Sequence, residues 1–356
     1  MKLAIVHDLF LRVGGAERVL VSLHGLWPDA PIYLVAGHPT VVRRYLPDAE
    51  IRYSWLQRVP GIRFIAPMLA PFMPAAVESW DFSGFDTVLT SSVLFAKGVV
   101  VRPDTRHLCY CFSPPRMLWD RHASYERRGV LSMLVRHALR MWDAAAARRP
   151  DAIAAISQTV ADRITTYWHR DALVIPPPVA VPEVDITEPI DEGYFLVVSR
   201  LMPHKNLEVA VEAFSKTRQP LVVVGDGPLR RALKRHAAPN IRFVGAVSDA
   251  ERDRLYARCR AVVVCNDEDF GLTPVEGMMY GKPVLALRAG GATETVVEGI
   301  TGEFFDDPAP EVLAEAIQRI RARREAYDPA GIRRHALQWS EEKFTSRMRT
   351  FVEGSA

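Results

Sequence analysis

Short runs of aliphatic and β-branched residues recur along this chain. Most lead into a polar or glycine-bearing turn and then into apolar residues at helical spacing. In the first half the runs at 2–6, 32–35, 87–90, 107–112 and 152–156 predict strands. After the first, Val19, Leu20 and Leu23 mark one face of a helix over about 16–26. A run at 173–175 enters Pro176-Pro177-Pro178-Val179-Ala180-Val181-Pro182, which can continue neither a helix nor a central strand. It predicts a stiff, extended interdomain hinge.

The alternation then restarts, with strands expected at 194–198, 221–224, 241–244, 261–265 and 283–287. Repeated strand–helix units with glycines at the turns predict an α/β fold of doubly wound parallel sheets. The expected organisation is a first domain over 1–180, a second over 181–335, and a terminal helical segment over 336–356. Leu337, Trp339, Phe344, Met348 and Phe351 give that segment an apolar set that packs back on the first domain.

The stretch Asn266 to Gly281, N-D-E-D-F-G-L-T-P-V-E-G-M-M-Y-G, joins a strand to a helix through a loop. Thr273 suits the N-cap, Pro274 the first helical position and Glu276 the third, and Gly281 the stop. Glu276 thus reads equally as the glutamate of a capping box or as a ligand contact. Glu268 has no such structural explanation, and Gly271 beside it lets backbone approach a ligand. Loops at the carboxyl ends of parallel strands, beside helix N-termini, are where such sheets bind anions. Arg200 and Lys205, in S-R-L-M-P-H-K-N, follow another strand, and a guanidinium fork plus an ammonium suit a diphosphate. We therefore expect these two cations to meet Glu268 and Glu276 across one crevice.

Composition narrows the class. With 356 residues the chain is long enough for two cores, and 49% hydrophobic against 24% charged residues is a soluble balance. No apolar run is long enough to span a bilayer, and the N-terminus lacks a signal-peptide layout, so a cytoplasmic chain is expected. Cys109, Cys111, Cys259 and Cys265 lie in or beside apolar segments without zinc spacing, and read as reduced core thiols. Charge is uneven. Residues 1–180 hold 21 Lys plus Arg against 15 Asp plus Glu, a net +6; the remainder holds 24 against 27, a net −3.

Most of that excess is arginine between Arg116 and Arg149, including Arg121, Arg127 and Arg128. Such a run is either a solvated helical face or a surface for anionic lipid or a diphosphate-bearing acceptor. Nucleic acid is disfavoured, because the arginines are not interleaved with stacking aromatics in a known module. Residues 55–80 combine Trp, Phe, Met and Leu with Arg58 and Arg63 and are broken by prolines. They read as a helical hairpin packed on the first domain, or as a surface dipping into a lipid interface. Gly14-Gly15, between the first strand and helix, is a tight turn or a phosphate approach, but not the dinucleotide fingerprint.

Taken together, Glu268 to Glu276 with Arg200 and Lys205 resemble the nucleotide-sugar domain of the family 4 retaining glycosyltransferases. The segments V-H-D…G-G-A-E-R-V-L and Y-C-F-S-P-P-R-M-L-W-D look like its bacterial mannosyltransferase branch. The resemblance implies the GT-B architecture: two facing Rossmann-like domains, a cleft between them, and a C-terminal helix crossing back. It gives the donor phosphates to Arg200 and Lys205, the ribose to Glu276, and the sugar hydroxyls to Glu268 with the backbone at Phe270, Gly271 and Leu272. Gly14 and Gly15 would approach the same diphosphate, and Val247, in the loop 245–247, would border the base. It also implies retention through a front-face route. Two fixed cations and the helix dipoles can stabilise the departing diphosphate, so neither a metal nor a cofactor beyond the donor is expected.

One position departs from that branch, where a strand ending in Tyr-Cys is followed by His-Thr-Pro. Here Phe112-Ser113-Pro114 stand instead, so the sugar-contacting role passes to His7 or Ser113, or the acceptor differs. The expected activity is transfer of a sugar, with GDP-mannose as the leading donor, to a lipid-linked oligosaccharide or a lipopolysaccharide or exopolysaccharide acceptor. The expected place is the inner face of the cell membrane, on an anionic surface, with Arg116, Arg121, Arg127 and Arg128 as acceptor or membrane contacts. Alternatives are a UDP- or ADP-sugar transferase, an epimerase or phosphorylase on the same architecture, or a non-catalytic sugar-nucleotide binder.

Overall fold

The computed structural model describes residues 1–120, 130–183 and 190–354. The chain divides into two units, Met1–Pro177 together with the residues from Phe344 onward, and Pro178–Lys343. Among the described residues the first unit holds strands β1 (Leu3–Phe10), β2 (Ile32–Gly37), β3 (Ile51–Tyr53), β4 (Thr87–Ser92), β5 (Arg106–Cys111), β6 (Ala152–Ala155) and β7 (Leu173–Val174). They form one parallel sheet in the order β3-β2-β1-β4-β5-β6-β7. The second unit holds β8 (Phe195–Val198), β9 (Leu221–Val224), β10 (Ile241–Gly245), β11 (Ala261–Val264), β12 (Val284–Leu287) and β13 (Gly302–Phe305), parallel in the order β10-β9-β8-β11-β12-β13. In each sheet the order reverses once, between β1 and β4 and between β8 and β11. The carboxyl ends of those strand pairs are where ligands bind in open α/β sheets.

The unit boundary falls at 177 rather than 180 because Val179 already pairs with the second unit. Its N–H donates to the Trp339 carbonyl at 2.9 Å, and it bridges Ser340. The segment from 336 is likewise divided. Trp339 stays in the second unit, with its ring 6.2 Å from that of Phe270. From Phe344 the helix Glu341–Glu353 belongs to the first unit, where Phe344 meets Tyr110 edge-on and Arg106 donates to the Val352 carbonyl.

One face of the first sheet is covered by a shared core. Ala4, Val6, Tyr33, Val35 and Val88 from the strands meet Leu56, Ile62, Ala70, Met73 and Val77 from the segment 55–78, and Leu139 from the helix Val130–Ala146. Beneath that helix, Lys97 and Asp143 are wholly buried and paired at 2.5 Å. Asp143 also accepts from the indole N–H groups of Trp119 and Trp168, each at 2.8 Å. A buried ion pair persists only with its remaining lone pairs so satisfied. It ties the helix and the loop before it to the end of β4.

Candidate functional site

The carboxyl ends of β8 and β11 bring together residues distant in sequence. After β8 the chain runs through Ser199–Met202 into a helical turn at Pro203–Lys205. Asn206, in the left-handed region at φ 50°, then caps the helix Leu207–Thr217. The Asn206 side-chain amide donates to the Cys265 carbonyl at 3.1 Å, which fastens this loop to the end of β11. Lys205 Nζ donates to Glu268 Oε1 at 2.7 Å, so one expected cation and one expected carboxylate are in direct contact. Both side chains are largely buried, at 13% and 24% exposure, and the local dielectric therefore strengthens the pair. Arg200 behaves differently. It is exposed, and its guanidinium forms no hydrogen bond or ion pair among the described residues, leaving five N–H donors unspent.

The helix after this loop begins two residues earlier than the sequence suggests. Gly271, at φ 90°, is the residue before it, and the helix spans Leu272–Met279. Thr273 is therefore inside the first turn, and its hydroxyl donates to the Val198 carbonyl rather than capping. The capping box expected of Thr273 and Glu276 is not formed. Glu276 accepts instead from the Tyr256 hydroxyl at 2.7 Å, on the helix Asp249–Arg258. Tyr256 is fully buried, and burial first, then the Glu276 charge, pushes its phenol well above the usual range, so it stays a donor. The Arg252 charge also acts on Glu276 from the same helix. Tyr256 and Arg252 were not singled out in the sequence, although their spacing of four sets both on one helical face.

Glycines bring the surrounding loops together. A Cβ at Gly225, which lies at φ 125°, would collide with the Ser199 carbonyl oxygen, and one at Gly227 with that of Leu201. The same holds for Gly290 against Glu268 and for Gly291 against Phe270. The Gly291 N–H donates to the Glu268 carbonyl at 2.8 Å. The loops after β8, β9, β11 and β12 thus interlock backbone to backbone. Phe270 is buried, Leu272 partly so, and Val247 is half-buried in the loop after β10.

In the first unit the corresponding place is arranged otherwise. β1 extends to Phe10, past the predicted end at Val6, because His7 and Asp8 find partners inside. His7 Nδ1 lies 3.0 Å from the Ser91 carbonyl, while its Nε2 is buried without a partner among the described residues. The Asp8 carboxylate accepts from the backbone N–H groups of Val93, Leu94, Phe95 and Ala96 at 2.7–2.8 Å. Gly14 precedes the helix Gly15–Leu26, and its N–H donates to Glu17 at 2.8 Å, so a diphosphate reaching Gly14 would displace that carboxylate. Ser113 Oγ is also buried and unpartnered among the described residues, whereas His107 lies near the start of β5. Arg116 pairs with Asp120, and Arg121, Arg127 and Arg128 lie outside the described residues.

Residues 184–332 match the family described as glycosyl transferases group 1. The match lies within the second unit, where Arg200, Lys205, Glu268 and Glu276 stand. It is 27% identical over 167 residues to the O-antigen chain mannosyltransferase C of Escherichia coli, which covers 45% of this chain and 44% of that protein. It is 25% identical to the human Alpha-1,3/1,6-mannosyltransferase ALG2 across 96% of this chain and 93% of the relative. The chain spans less than half the length of the first curated relatives it matches. Among solved structures, Anabaena Alr3699/HepE in complex with UDP superposes with a TM-score of 0.74 at 19% identity, over 100% of both chains. That likeness shows the fold, the α/β GT-B architecture.

Proposed function

We propose that the protein transfers a sugar from a nucleotide-sugar donor, with mannose from GDP-mannose as the leading donor, onto a lipid-linked oligosaccharide or a lipopolysaccharide or exopolysaccharide acceptor. The observation that carries this reading is the unspent guanidinium of Arg200 on the same loop as Lys205, which pairs with Glu268, at the order reversal of a sheet within the segment that the glycosyltransferase family matches. A departing nucleoside diphosphate gains negative charge as the glycosidic bond breaks. Arg200 and Lys205 stabilise that charge in a partly desolvated setting. Glu276, held by Tyr256, takes the ribose hydroxyls. Glu268 and the backbone at Phe270, Gly271 and Leu272 take the sugar, and Val247 borders the base. The chemistry proceeds with retention and needs neither a metal nor a further cofactor. The names of the mannosyltransferase relatives support the mannosyl donor and a glycan acceptor, and the first unit's arginines support work at the inner face of the membrane.

A UDP-sugar donor is the second reading, favoured by the UDP complex of the structural neighbour. A thermal-shift panel of GDP-, UDP- and ADP-sugars separates the two, because a donor that binds the folded state raises Tm by mass action. We expect GDP-mannose to give the largest shift, with slow GDP release that acceptor accelerates and EDTA leaves unchanged. Absence of stabilisation by every nucleotide sugar overturns the transferase reading. A changed sugar without release assigns an epimerase, and stabilisation without turnover a binder.

A further inference from the structure

The large apolar side chains that the first unit leaves exposed are concentrated on two neighbouring elements. In the segment 62–72, Ile62, Ala66 and Ala70 are buried, while Phe64, Met68 and Phe72 stand out at 73%, 59% and 53% exposure. Those three recur every four residues, which is a stripe along one side of a helical path. The helix Val130–Ala146 repeats the arrangement. Its inner side sets Leu139, Asp143 and Ala146 into the core, whereas Leu131, Leu134 and Met141 are exposed at 76%, 60% and 61%. Spacings of three and seven put these outer residues, with exposed Ala138 and Ala145, on a second stripe. Both elements pack their inner sides into the same core on the same face of the sheet, so their outer sides belong to one surface. A helix apolar on both sides needs a cover for the outer one.

Charge identifies the cover. Residues 55–77 contain no acidic side chain, and the only acid in 130–149 is Asp143, which is buried and neutralised by Lys97. Arg58 and Arg148 are exposed, and Arg140 spends its guanidinium on the Leu118 carbonyl, which keeps its full positive charge. Arg149, past the helix end, is offset by Glu78. An apolar surface rimmed by unopposed arginine is complementary to anionic phospholipid: hydrocarbon takes the stripes and headgroups take the cations.

We propose that the outer surface of the 62–72 segment and the helix Val130–Ala146 seats on an anionic lipid bilayer, inserting Phe64, Met68 and Phe72 beside Leu131, Leu134 and Met141. This deepens the functional reading by naming the membrane-bound surface, and it stands on residues of the first unit, none of them a donor residue. The test is flotation of the full chain with phosphatidylglycerol-containing against pure phosphatidylcholine vesicles, with sedimentation equilibrium of the protein alone. The protein should float with the anionic vesicles and release as salt rises. Leu131→Ser/Leu134→Ser/Met141→Ser and, separately, Phe64→Ser/Phe72→Ser should each weaken binding by roughly tenfold or more, with unchanged circular dichroism and an unchanged donor thermal shift. The single variant Phe64→Ser serves if a multiple variant fails to fold. Negligible binding to both vesicle types overturns the proposal, as does binding that survives these substitutions. A dimer that the same substitutions dissociate, without vesicle binding, assigns the surface to a second copy instead. Vesicle binding without response to any nucleotide sugar keeps the surface and removes the transferase reading.

Discussion

The two sheets reverse their strand order in the same way, yet they treat the place this creates in opposite manners. At β1 and β4 the first unit supplies its own anions. Asp8 draws four backbone amides onto one carboxylate, and Glu17 caps Gly14. At β8 and β11 the second unit sets cations there, one paired with Glu268 and one unspent. Identical topology therefore does not assign the same role. What separates them is whether the chain's own carboxylates already satisfy the donors at that place, which is a matter of a few side chains.

That contrast can be broken most forcefully through single residues. Lys205→Ala should reduce kcat by roughly 10²–10³-fold, the usual loss for one charge-stabilising donor, with Tm nearly unchanged. Asp8→Ala should do the reverse. Orphaning four amides, two of them in buried residues, costs at least about 3 kcal/mol in denaturant unfolding, while a donor's thermal shift persists once the protein is folded. Equal effects of both variants on donor binding would erase the distinction.

Acid should sharpen the same contrast. His107 in the first unit is lowered to about 4, chiefly by burial, with Arg149 adding to this and Asp151 opposing. Its folded pKa lies below the unfolded value, so no penalty applies above about pH 6.5. Stability then falls as pH drops from about 6.5 towards 4, by up to about 3 kcal/mol. His107→Gln should flatten that slope in urea titrations at several pH values. The smallest effect is expected from Glu276→Gln, which keeps an acceptor for Tyr256 but loses the charge. Donor affinity should fall by about 1–3 kcal/mol by calorimetry, and Tm should hold.

Much of the second unit was legible in the sequence because local signals agreed. Ala261 to Val264 reads as a strand, Gly281 stops the following helix at φ 70°, and Ser248 caps the next helix upstream, accepting from the Glu251 N–H. Where two local readings competed, tertiary contact decided. Thr273 and Glu276 have the spacing of a capping box, but Gly271 turns the chain first, and Tyr256 claims the carboxylate. Buried charge was the least legible. Lys97 in L-F-A-K-G looks like any surface lysine until Asp143, 46 residues on, closes over it. The arginine run gave no hint of its local roles: Arg140 and Arg149 hold neighbouring backbone, and the same helix exposes Leu131, Leu134 and Met141.

The interlocked glycines carry a practical consequence for redesign. Positions 225, 227, 290 and 291 are closed to every side chain, since even a methyl group would strike a neighbouring carbonyl. A mutational library aimed at new substrates would waste its diversity there. The turn after β10 is the opposite case: Ala246 and Ser248 face outward and Val247 is half-exposed. On the base contact proposed for Val247, recoding the preference for a nucleobase should begin with those three.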